Sequence, residues 1–328
     1  MEKRSRKVTL AATQAGNLHI PERFNCLSST FDANPSAVVK ECVIPTVEHY
    51  INLLSKCEKS PDAEAMLALT GEGACGLGNF TFADKSFFNE LVILSAPAAE
   101  ERFSKMAKDK NVYVAACYYK QLGGKNYNVT SIFAPDGLIK GAYKKTHLPV
   151  QEMWVCEDGD DLNVIELEFG KIGVLICYDL FFAEAASVLA MKGAEVIMHP
   201  TNGDFGGFTR QTRANDNCVF LLTAMKYVNG ITASSSVIDR SGNILVQTNA
   251  QRDSVCSYTV DLNERTTEPE GHFHAQLSGI TDVWERKLLE RNPYTYSILS
   301  QPAKRLRVPD AKEQDILREK MRKVECHW

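Results

Sequence analysis

Short apolar runs rich in Val, Ile, Thr and Tyr recur along the chain, and each is about as long as a single β-strand. Longer segments with helical periodicity separate several of these runs. Strands that alternate with helices are typical of an α/β protein. The predicted strands are Val8–Gln14, Met66–Thr70, Val112–Tyr119, Asn128–Phe133, Ile172–Cys177, Val196–Met198, Phe220–Ala224, Ser235–Ile238, Ile244–Gln247 and Val255–Val260. The predicted helices are Ala37–Glu58, which Pro45 interrupts, Ala98–Asp109, Ala183–Lys192 and Thr209–Asn217.

Two turn sequences interrupt the alternation of strands and helices. Residues 135–137 (Pro-Asp-Gly) and 240–243 (Arg-Ser-Gly-Asn) each join two strand-like runs as a hairpin turn. The sheet is therefore expected to be mixed. Each hairpin follows a helix and a strand, and this order predicts two similar halves, at residues 1–150 and 151–265.

The C-terminal part of the chain has a different pattern. After Asp261 the sequence turns polar, and residues 310–323 alternate in charge at helical spacing. This pattern favours a solvated surface helix or a frayed tail, with subunit contact as the less favoured alternative. We expect one compact domain over residues 1–265 and a C-terminal extension over residues 266–328, for which oligomerisation is one candidate role.

The composition is that of a globular protein, because 44% of the 328 residues are hydrophobic and 24% are charged. The 37 basic and 41 acidic residues give a net charge of −4, so charge offers no case for binding nucleic acid or an anionic membrane. No run approaches the roughly 18 apolar residues that span a bilayer. The basic and then apolar start is broken by Thr9 and Thr13, which favours a buried strand over a signal peptide. We expect a soluble protein with a small-molecule partner.

Ten cysteines are present, and no two of them have the C-x-x-C spacing. This pattern disfavours a zinc ribbon or a compact disulfide framework, and it favours the reducing cytoplasm. The sequon at Asn128 lies in a strand-like run and is expected to be unused. His272, His274 and the acidic residues 157–161 lack the spacing or the further ligands of a zinc or calcium site. We expect no metal ion.

The most distinctive local pattern lies between residues 171 and 191. An apolar strand runs into Cys177, a short turn containing Asp179 follows, and an alanine-rich amphipathic helix comes next. A thiol near a helix N-terminus is favoured in its thiolate form, which is the nucleophile. The alternative is a buried cysteine that acts only as a small hydrophobic residue.

A second pattern, over residues 141–149, places two lysines and a histidine after the strand that follows the first hairpin. Lysines usually lie on the surface. In a closed pocket, the Lys145 ammonium would stabilise an oxyanion and a neighbouring thiolate. His147 could be a general base in a Cys-His pair, or a hydrogen-bonding residue of the core.

A third pattern is an apolar strand that ends at Glu72, between two glycines. Carboxylates at strand ends in α/β folds commonly face the binding crevice. Desolvation would raise the proton affinity of a buried glutamate, which suits a general base, and a carboxylate that caps a loop is the alternative. Gly71, Gly73 and Gly76 also match the dinucleotide fingerprint. Residues 77–82 are a poor helix start, however, so a dinucleotide-dependent enzyme is the disfavoured reading.

Together and in this order, the glutamate that closes a strand, Lys145 in Tyr-Lys-Lys-Thr-His-Leu-Pro and Cys177 in Gly-Val-Leu-Ile-Cys-Tyr-Asp resemble the nitrilase superfamily of carbon–nitrogen hydrolases. The similarity extends from the Val-Thr-Leu-Ala-Ala-Thr-Gln opening to about Leu262. The resemblance implies a four-layer α-β-β-α sandwich of two similar halves, usually dimerised through helices. It also implies acyl transfer to a cysteine without a metal or organic cofactor.

The resemblance assigns a role to each of these residues. It implies that Cys177 attacks the carbonyl or nitrile carbon and that Glu72 acts as general base and then as general acid. It implies that Lys145 stabilises the tetrahedral oxyanion beside the backbone N–H of Tyr178. Glu152, seven residues after Lys145, falls where the family often has a further pocket glutamate.

The chain departs from the family pattern at three positions. Gly71 and Ala183 stand where the family usually has proline, which alters the stiffness of two turns, and Gly78 stands where the family usually has an aromatic residue. Tyr178, Thr201 and Asn202 are the residues expected to contact substrate. The missing aromatic side chain at Gly78 leaves the shape of the substrate pocket open.

The motif Cys-Tyr-Asp resembles the amidase branches of the superfamily more than the true nitrilases. We therefore expect hydrolysis of a small linear amide through a cysteine acyl-enzyme, with release of ammonia, by a cytoplasmic homodimer or larger homo-oligomer. An N-carbamoyl amide hydrolase or a nitrilase that uses the same triad is the close alternative. A catalytically silent binding protein on this scaffold is the alternative from a different class.

Overall fold

Two mixed six-stranded β-sheets form the centre of the protein in the computed structural model, which describes residues 6–16, 18–203, 208–227, 234–249, 252–269, 271–301 and 309–322. The first sheet contains, from edge to edge, β12 (Ser254–Asp261), β1 (Lys7–Gln14), β2 (Ala65–Leu69), β3 (Tyr113–Leu122), β4 (Lys125–Phe133) and β5 (Ile139–Lys144). The second contains β11 (Ile244–Gln247), β10 (Ser236–Ile238), β9 (Phe220–Met225), β8 (Val196–Thr201), β7 (Gly170–Val174) and β6 (Val164–Leu167).

The two sheets have similar internal pairing. Strands β1, β2 and β3 are parallel, and the antiparallel β4 and β5 follow at one edge. Strands β7, β8 and β9 are likewise parallel, with antiparallel β10 and β11 beyond them. This repetition agrees with the prediction of two similar halves.

Strand β12 joins the two halves. It follows the second half in the chain, yet it pairs antiparallel with β1 along the whole strand, from Lys7 opposite Asp261 to Gln14 opposite Ser254. The first sheet is therefore complete only when the end of the second half is in place.

The helices cover the outer faces of both sheets. The first sheet carries α1 (Pro35–Val38), α2 (Ile44–Leu54) and α3 (Lys85–Lys110), and a π-helical segment, Val39–Val43, joins α1 to α2. The second sheet carries α4 (Ala183–Met191) and α5 (Thr209–Asn217). One apolar core lies between the sheets and includes Leu67 and Val196. A second core lies under the helices of the first sheet, with Leu91 and Val114, and a third lies under the helices of the second sheet, with Leu189 and Ile197. These layers confirm the predicted α-β-β-α sandwich.

Helix α3 is much longer than the sequence predicted. It begins at Lys85 and passes through Pro97, whereas the prediction began after that proline because proline normally ends a helix. The Asp84 side chain caps the helix by accepting a hydrogen bond from the backbone N–H of Ser86 at 2.8 Å. Buried residues on both sides of Pro97 pack against the first sheet. Tertiary packing therefore outweighs the proline here.

Two predictions about strands also need correction. Strand β7 ends at Val174, three residues before the predicted end at Cys177, because the chain turns there. Strand β6 was not predicted, because it is only four residues long and lies at a sheet edge. Short edge strands carry little periodic signal.

The C-terminal segment contributes α6 (Phe273–Ser278), α7 (Val283–Glu290) and α8 (Ala311–Arg322). Helix α8 was predicted to be a solvated helix or a frayed tail, but Leu317 packs against the outer core of the first sheet. The nine cysteines in the described ranges are all free thiols, while Cys326 lies outside these ranges. Of the helices described, none has the length and apolar character to cross a membrane.

Candidate active site

A buried lysine lies between two buried glutamates at the carboxyl ends of the strands. Lys145 directly follows β5, and its ammonium Nζ donates to Glu72 Oε1 at 2.8 Å and to Glu152 Oε2 at 2.7 Å. Glu72 lies in the loop after β2, and Glu152 begins the 3₁₀-helix Glu152–Trp154. All three residues are at most 3% exposed. The structure therefore brings together three of the four predicted catalytic side chains through direct contacts.

Asn128 on β4 ties the two glutamates to each other. Its Nδ2 donates to Glu72 Oε1 at 3.0 Å and to Glu152 Oε1 at 2.7 Å. Its backbone carbonyl accepts from the N–H of Lys145 at 2.9 Å. The side chain is fully buried and engaged, so this asparagine cannot accept a glycan as it stands. Asn128 was predicted only to be an unused sequon, and its place in the site was not predicted.

Cys177 lies on the same side of the protein, after the end of β7 and at the first residue of the 3₁₀-helix Cys177–Phe181. Its backbone has a φ of 47°, in the left-handed region that non-glycine residues rarely adopt. Cys177 is only partly buried, and its thiol lies close enough to Glu72 for each group to shift the pKa of the other. Thr201 and Asn202 also lie near the sulfur, and both lower the pKa of its thiol slightly.

The carboxylate of Asp179 holds the turn that carries Cys177. Asp179 is fully buried, and its Oδ2 accepts from the backbone N–H of Ile176 and from the Tyr143 hydroxyl, each at 2.8 Å. Its Oδ1 accepts from the backbone N–H of His147 at 2.9 Å and from the Thr146 hydroxyl at 3.1 Å. The cysteine turn is thereby fastened to the segment that follows Lys145.

His199 on β8 supports Cys177 from the other side. Its Nε2 lies 3.3 Å from the carbonyl oxygen of Cys177, which can only accept, so Nε2 is the donor. Burial and the charge of Arg210 lower the pKa of His199 to about 4, so the ring is neutral at neutral pH. The ring therefore adds no charge near the sulfur.

The charges of the lysine and the two glutamates set the protonation states of this cluster. Burial alone would raise the pKa of Glu72, but the attraction and hydrogen bond of Lys145 outweigh it and hold that pKa below its ordinary value. Burial and the nearby charge of Glu72 raise the pKa of Glu152. Burial would lower the pKa of Lys145, yet the two carboxylates raise it well above its ordinary value. The lysine is therefore charged, and Glu72 is the more readily ionised glutamate.

The Cys177 thiol is harder to ionise than the sequence predicted. Burial, and then the charge of Glu72, raise its pKa to about 12. The expected helix N-terminus is not adjacent, because α4 begins only at Ala183 after the intervening 3₁₀-helix. The expectation that burial raises the pKa of Glu72 is also wrong, because it did not take the positive charge of Lys145 into account. At neutral pH the pair is a thiol beside a carboxylate.

The three predicted substrate contacts lie around the sulfur at different depths. Tyr178 is 36% exposed, and its ring makes an edge contact with Phe182 and a tilted contact with Phe181. Thr201 is fully buried and exchanges hydrogen bonds with the backbone of Gly203. The Asn202 Oδ1 is buried without a hydrogen-bond partner among the described residues. An unpaired buried acceptor of this kind can receive a hydrogen bond from a ligand.

The other sequence candidates lie apart from this cluster. His147 Nδ1 faces Asp179 Oδ1 at 2.8 Å and its ring stacks on Phe182, so the structure gives it a structural partner and not the cysteine. The glycine fingerprint is followed by the 3₁₀-helix Leu77–Phe82, so it lacks the α-helix N-terminus that would receive a pyrophosphate. Within the described residues, no three His, Cys, Asp or Glu side chains are grouped as metal ligands.

Comparisons with known proteins agree with this architecture. The sequence model of the carbon–nitrogen hydrolase family matches residues 79–268. A nitrilase of Pyrococcus abyssi is 40% identical over 122 residues, which are 36% of this chain and 46% of that protein. The omega-amidase of Danio rerio is 32% identical over 200 residues, 54% of this chain and 71% of that protein. The citrullinase of Francisella tularensis is 26% identical over 242 residues, 66% of this chain and 85% of that protein. The match thus spans about half the length of the Pyrococcus nitrilase.

Solved structures share the fold. The carbon–nitrogen hydrolase from Helicobacter pylori aligns with a TM-score of 0.67 at 18% identity, over 90% of this chain and 99% of that chain. A variant of the amidase from Nesterenkonia sp., with the acetamide moiety of fluoroacetamide added covalently at its active-site cysteine, aligns with a TM-score of 0.60 at 17% identity. This alignment covers 89% of this chain and 95% of that chain.

Proposed function

The chain belongs to the carbon–nitrogen hydrolase family of the nitrilase superfamily, and from this premise we propose that it hydrolyses a small linear amide through an acyl-enzyme on Cys177, releasing ammonia. One observation carries the proposal. The Lys145 ammonium lies within 2.8 Å of both Glu72 and Glu152, and the partly buried Cys177 lies close enough for the charges of Glu72 and Lys145 to shift the pKa of its thiol. A nucleophile, a proton carrier and a fixed positive charge are what amide hydrolysis requires.

In the first step the Cys177 sulfur attacks the amide carbon while Glu72 takes the thiol proton. The thiol is neutral and Glu72 is ionised, so proton transfer accompanies formation of the carbon–sulfur bond. Negative charge then develops on the amide oxygen. The Lys145 ammonium and the backbone N–H of Tyr178 are the donors we assign to that oxygen.

In the second step Glu72 returns the proton to the amide nitrogen, the carbon–nitrogen bond breaks and ammonia leaves. The product at this stage is a thioester on Cys177. A water molecule then attacks the thioester carbon while Glu72 accepts a proton from that water. The carbon–sulfur bond breaks, the sulfur recovers a proton, and the carboxylic acid is released. The sum is one amide and one water converted into one acid and one ammonia.

Glu152 and Asn128 position the reacting groups in this scheme. Glu152 shares the lysine with Glu72 and accepts from the Tyr119 hydroxyl at 3.1 Å, while Asn128 donates to both glutamates. These contacts hold the Lys145 ammonium in place, and no proton acceptor of the protein has to move. We assign Thr201 and Asn202 to the wall of the substrate pocket, since both lie beside the sulfur.

Hydrolysis of an N-carbamoyl or ureido group is the second candidate, and the 26% identity to a citrullinase over 85% of that protein favours it. The chemistry at the cysteine would be the same. The products differ, because cleavage of a carbamoyl group ends in carbon dioxide as well as ammonia and an amine. Measurement of carbon dioxide therefore separates the two activities.

The test is an ammonia-release assay over a panel of linear amides, nitriles and N-carbamoyl compounds. We expect turnover of at least one linear amide, and loss of nearly all of it in Cys177→Ser and in Glu72→Gln, with both variants still folded. The double variant should lose little more than either single variant, because the two residues act as a unit. A folded protein without turnover across the panel would instead support a silent binding protein.

We also propose a cytoplasmic homo-oligomer. The free thiols of the described cysteines are compatible with a reducing compartment. Large apolar side chains are exposed on the C-terminal helices, among them Phe273 at 67%, Leu277 at 73% and Leu289 at 67%. Exposed apolar surface of this kind commonly marks a protein contact. Sedimentation velocity at several protein concentrations measures the assembly, and a monomer at all concentrations would contradict the proposal.

A further inference from the structure

A cleft of about 490 Å³ lies at the amino ends of the parallel strands of the second sheet. Its walls include Phe169 before β7, Glu195 before β8 and Cys218 before β9. Cys177 follows the other end of β7, so the length of that strand separates this distal cleft from the candidate active site. A cavity of this volume is large enough for a small organic molecule.

The chain that follows β12 forms one wall of the distal cleft. Thr266 and Trp284 of this C-terminal segment line the cleft together with residues of the second sheet. The backbone carbonyl of Thr266 accepts from the N–H of Val283 at 2.9 Å, which holds the start of α7 beside it. A ligand in the cleft would therefore contact both the sandwich and the C-terminal segment.

Arg240, in the hairpin between β10 and β11, is a buried cation on the opposite wall and is only 8% exposed. Its Nη1 donates to the carbonyl oxygen of Cys218 at 2.7 Å and its Nη2 to that of Leu262 at 3.3 Å. The guanidinium carbon lies 4.7 Å from the ring centre of Phe220. The Nε atom is buried and has no hydrogen-bond partner among the described residues. A guanidinium has five N–H donors, so Arg240 is held in place with donors to spare.

The carboxylates that line the distal cleft have partners other than Arg240. Both oxygens of Glu195 accept from Arg6, at 2.9 and 2.6 Å. The other pairs are Asp282 with Arg265 at 3.5 Å, Glu168 with the Tyr113 hydroxyl, and Glu166 opposite Lys171 in the pairing of β6 with β7. Within the described part of the chain, Arg240 itself forms no ion pair.

A buried charge without a counter-ion is costly, and the cost falls when an anion binds to it. Burial, and then the charge of Arg265, lower the pKa of Arg240 to about 10, so the guanidinium is still charged at neutral pH. An oxyanion that accepts from this guanidinium would supply the missing negative charge.

Thr266 provides a second unpaired polar group in the same cleft. Its Oγ1 is buried and has no hydrogen-bond partner in the described ranges, although buried hydroxyls normally have one. The hydroxyl can donate to an oxyanion. The apolar side chains of Leu167 and Trp284 line the cleft as well, so its surface suits a ligand with an apolar part.

We propose that Arg240 and Thr266 form a binding site for a small organic anion, with its carboxylate or phosphate group at these two residues and its apolar part against Leu167 and Trp284. This site goes beyond the proposed hydrolysis and does not depend on it. The anion is an effector and not the substrate, because the catalytic cluster lies at the other ends of the strands. Its oxygens connect the β10–β11 hairpin to the C-terminal segment.

The test is titration calorimetry on the full chain with phenyl phosphate, phenylacetate and the neutral benzyl alcohol. We expect at least one of the two anions to bind with a Kd of about 1 mM or tighter, and benzyl alcohol to bind at least about 10-fold more weakly. The two anions distinguish a phosphate from a carboxylate ligand. Inorganic phosphate should bind more weakly than phenyl phosphate, and equal binding would contradict the role of the apolar wall.

Substitutions locate the bound anion. Thr266→Val removes a hydroxyl that has no partner in the described chain, so the variant should fold, and it should weaken binding by about 3–10-fold. Arg240→Gln should weaken binding by about 10–100-fold. Thr267→Val, which changes the exposed neighbouring threonine, is the matched control and should keep the native Kd. If Arg240→Gln does not fold, the comparison of Thr266→Val with Thr267→Val decides.

Three results would overturn the site. The first is that neither anion binds to the native protein. The second is a Kd that stays the same in Thr266→Val and in folded Arg240→Gln. The third is binding that Cys177→Ala weakens and Thr266→Val does not, because the anion would then occupy the active site. Binding that Thr266→Val weakens and Cys177→Ala leaves unchanged supports the distal site, whether or not the protein hydrolyses an amide.

Discussion

In the candidate site one ammonium forms ion pairs with two carboxylates, and the charges near the sulfur affect the ionisation of Cys177. Lys145 contributes one positive charge, while Glu72 and Glu152 can contribute two negative charges. Burial, and then the charge of Glu72, oppose ionisation of Cys177 and raise the pKa of the thiol to about 12, although the charge of Lys145 acts in the opposite direction. A site of this kind keeps its nucleophile protonated until a substrate arrives, and Glu72 then removes the proton.

This account predicts opposite effects of Glu72→Gln on two measurements. Removal of the carboxylate charge lowers the pKa of Cys177, so alkylation of the thiol by iodoacetamide should begin at lower pH than in the native enzyme. Amide turnover should fall by about 10²–10⁴-fold, because the proton carrier is lost. The alkylation rate is followed from pH 6 to 11 by mass spectrometry of the Cys177 peptide. Alkylation that moves to higher pH would contradict the assignment of Glu72 as the neighbouring charge.

The pH dependence of amide turnover should follow from the same charges. The pKa of Glu72 lies below its ordinary value, so its carboxylate form persists as pH falls and is lost only below the ordinary range of a glutamate. Activity should therefore remain nearly constant from pH 8 down to pH 5, provided that the protein stays folded. A decline centred near pH 6 to 7 in kcat/KM would indicate a histidine as the base and would contradict the role of Glu72.

At the scale of elements, the cysteine is presented by a short turn whose conformation depends on buried partners. Cys177 has a left-handed backbone, and Asp179 and His199 hold the turn from its two sides. Such a conformation persists only where its surroundings enforce it. The position of the sulfur is therefore a property of the whole turn.

Asp179→Asn should damage both stability and chemistry. The amide NH₂ would face groups that now donate to the carboxylate, so the free energy of unfolding should fall by about 2–4 kcal/mol. The turnover number should fall more than KM changes, because Asp179 positions Cys177 and does not touch substrate. Denaturant unfolding and steady-state kinetics measure the two effects. Asp62→Asn, at an exposed ion pair with Lys7, is the control and should leave both nearly unchanged.

Much of the element order could be predicted from the sequence, and what was missed has physical causes. Apolar runs marked the buried strands, and the motifs marked Glu72, Lys145 and Cys177 as ends of such runs. Asn128 gave no signal, because an asparagine inside a strand shows its partners only when β4 lies beside β3 and β5. The charge state of Cys177 was misjudged, because the sequence did not show how strongly burial opposes ionisation of the thiol or that α4 begins only at Ala183. The catalytic roles themselves stay predictions.

At the scale of the whole molecule, the C-terminal extension reaches the loops that carry the site. The Arg318 guanidinium of α8 donates to the carbonyl of Phe82 at 2.9 Å and lies 5.6 Å from the ring centre of Trp154. Trp154 ends the 3₁₀-helix that begins with Glu152. The extension therefore braces one of the two glutamates that share Lys145.

Arg318→Ala should weaken this brace. The loss of one hydrogen bond and one cation–π contact should lower the free energy of unfolding by about 1–3 kcal/mol. The value of kcat/KM should fall by a smaller factor than in a variant of Glu72. Thermal unfolding and kinetics on the full chain measure both quantities. Lys320→Ala, which removes an exposed residue of the same helix, is the control, and an equal effect in both variants would contradict a specific brace.

The central claim is that the acyl group of the substrate passes through a thioester on Cys177, and one measurement tests it most directly. The enzyme is mixed with an amide that it turns over, quenched in acid during turnover, and analysed by intact mass and peptide mapping. We predict one acyl group per chain, located on the peptide that contains Cys177 and absent in Cys177→Ala. Undiminished turnover in Cys177→Ala, or an acyl group on another residue, would contradict the account.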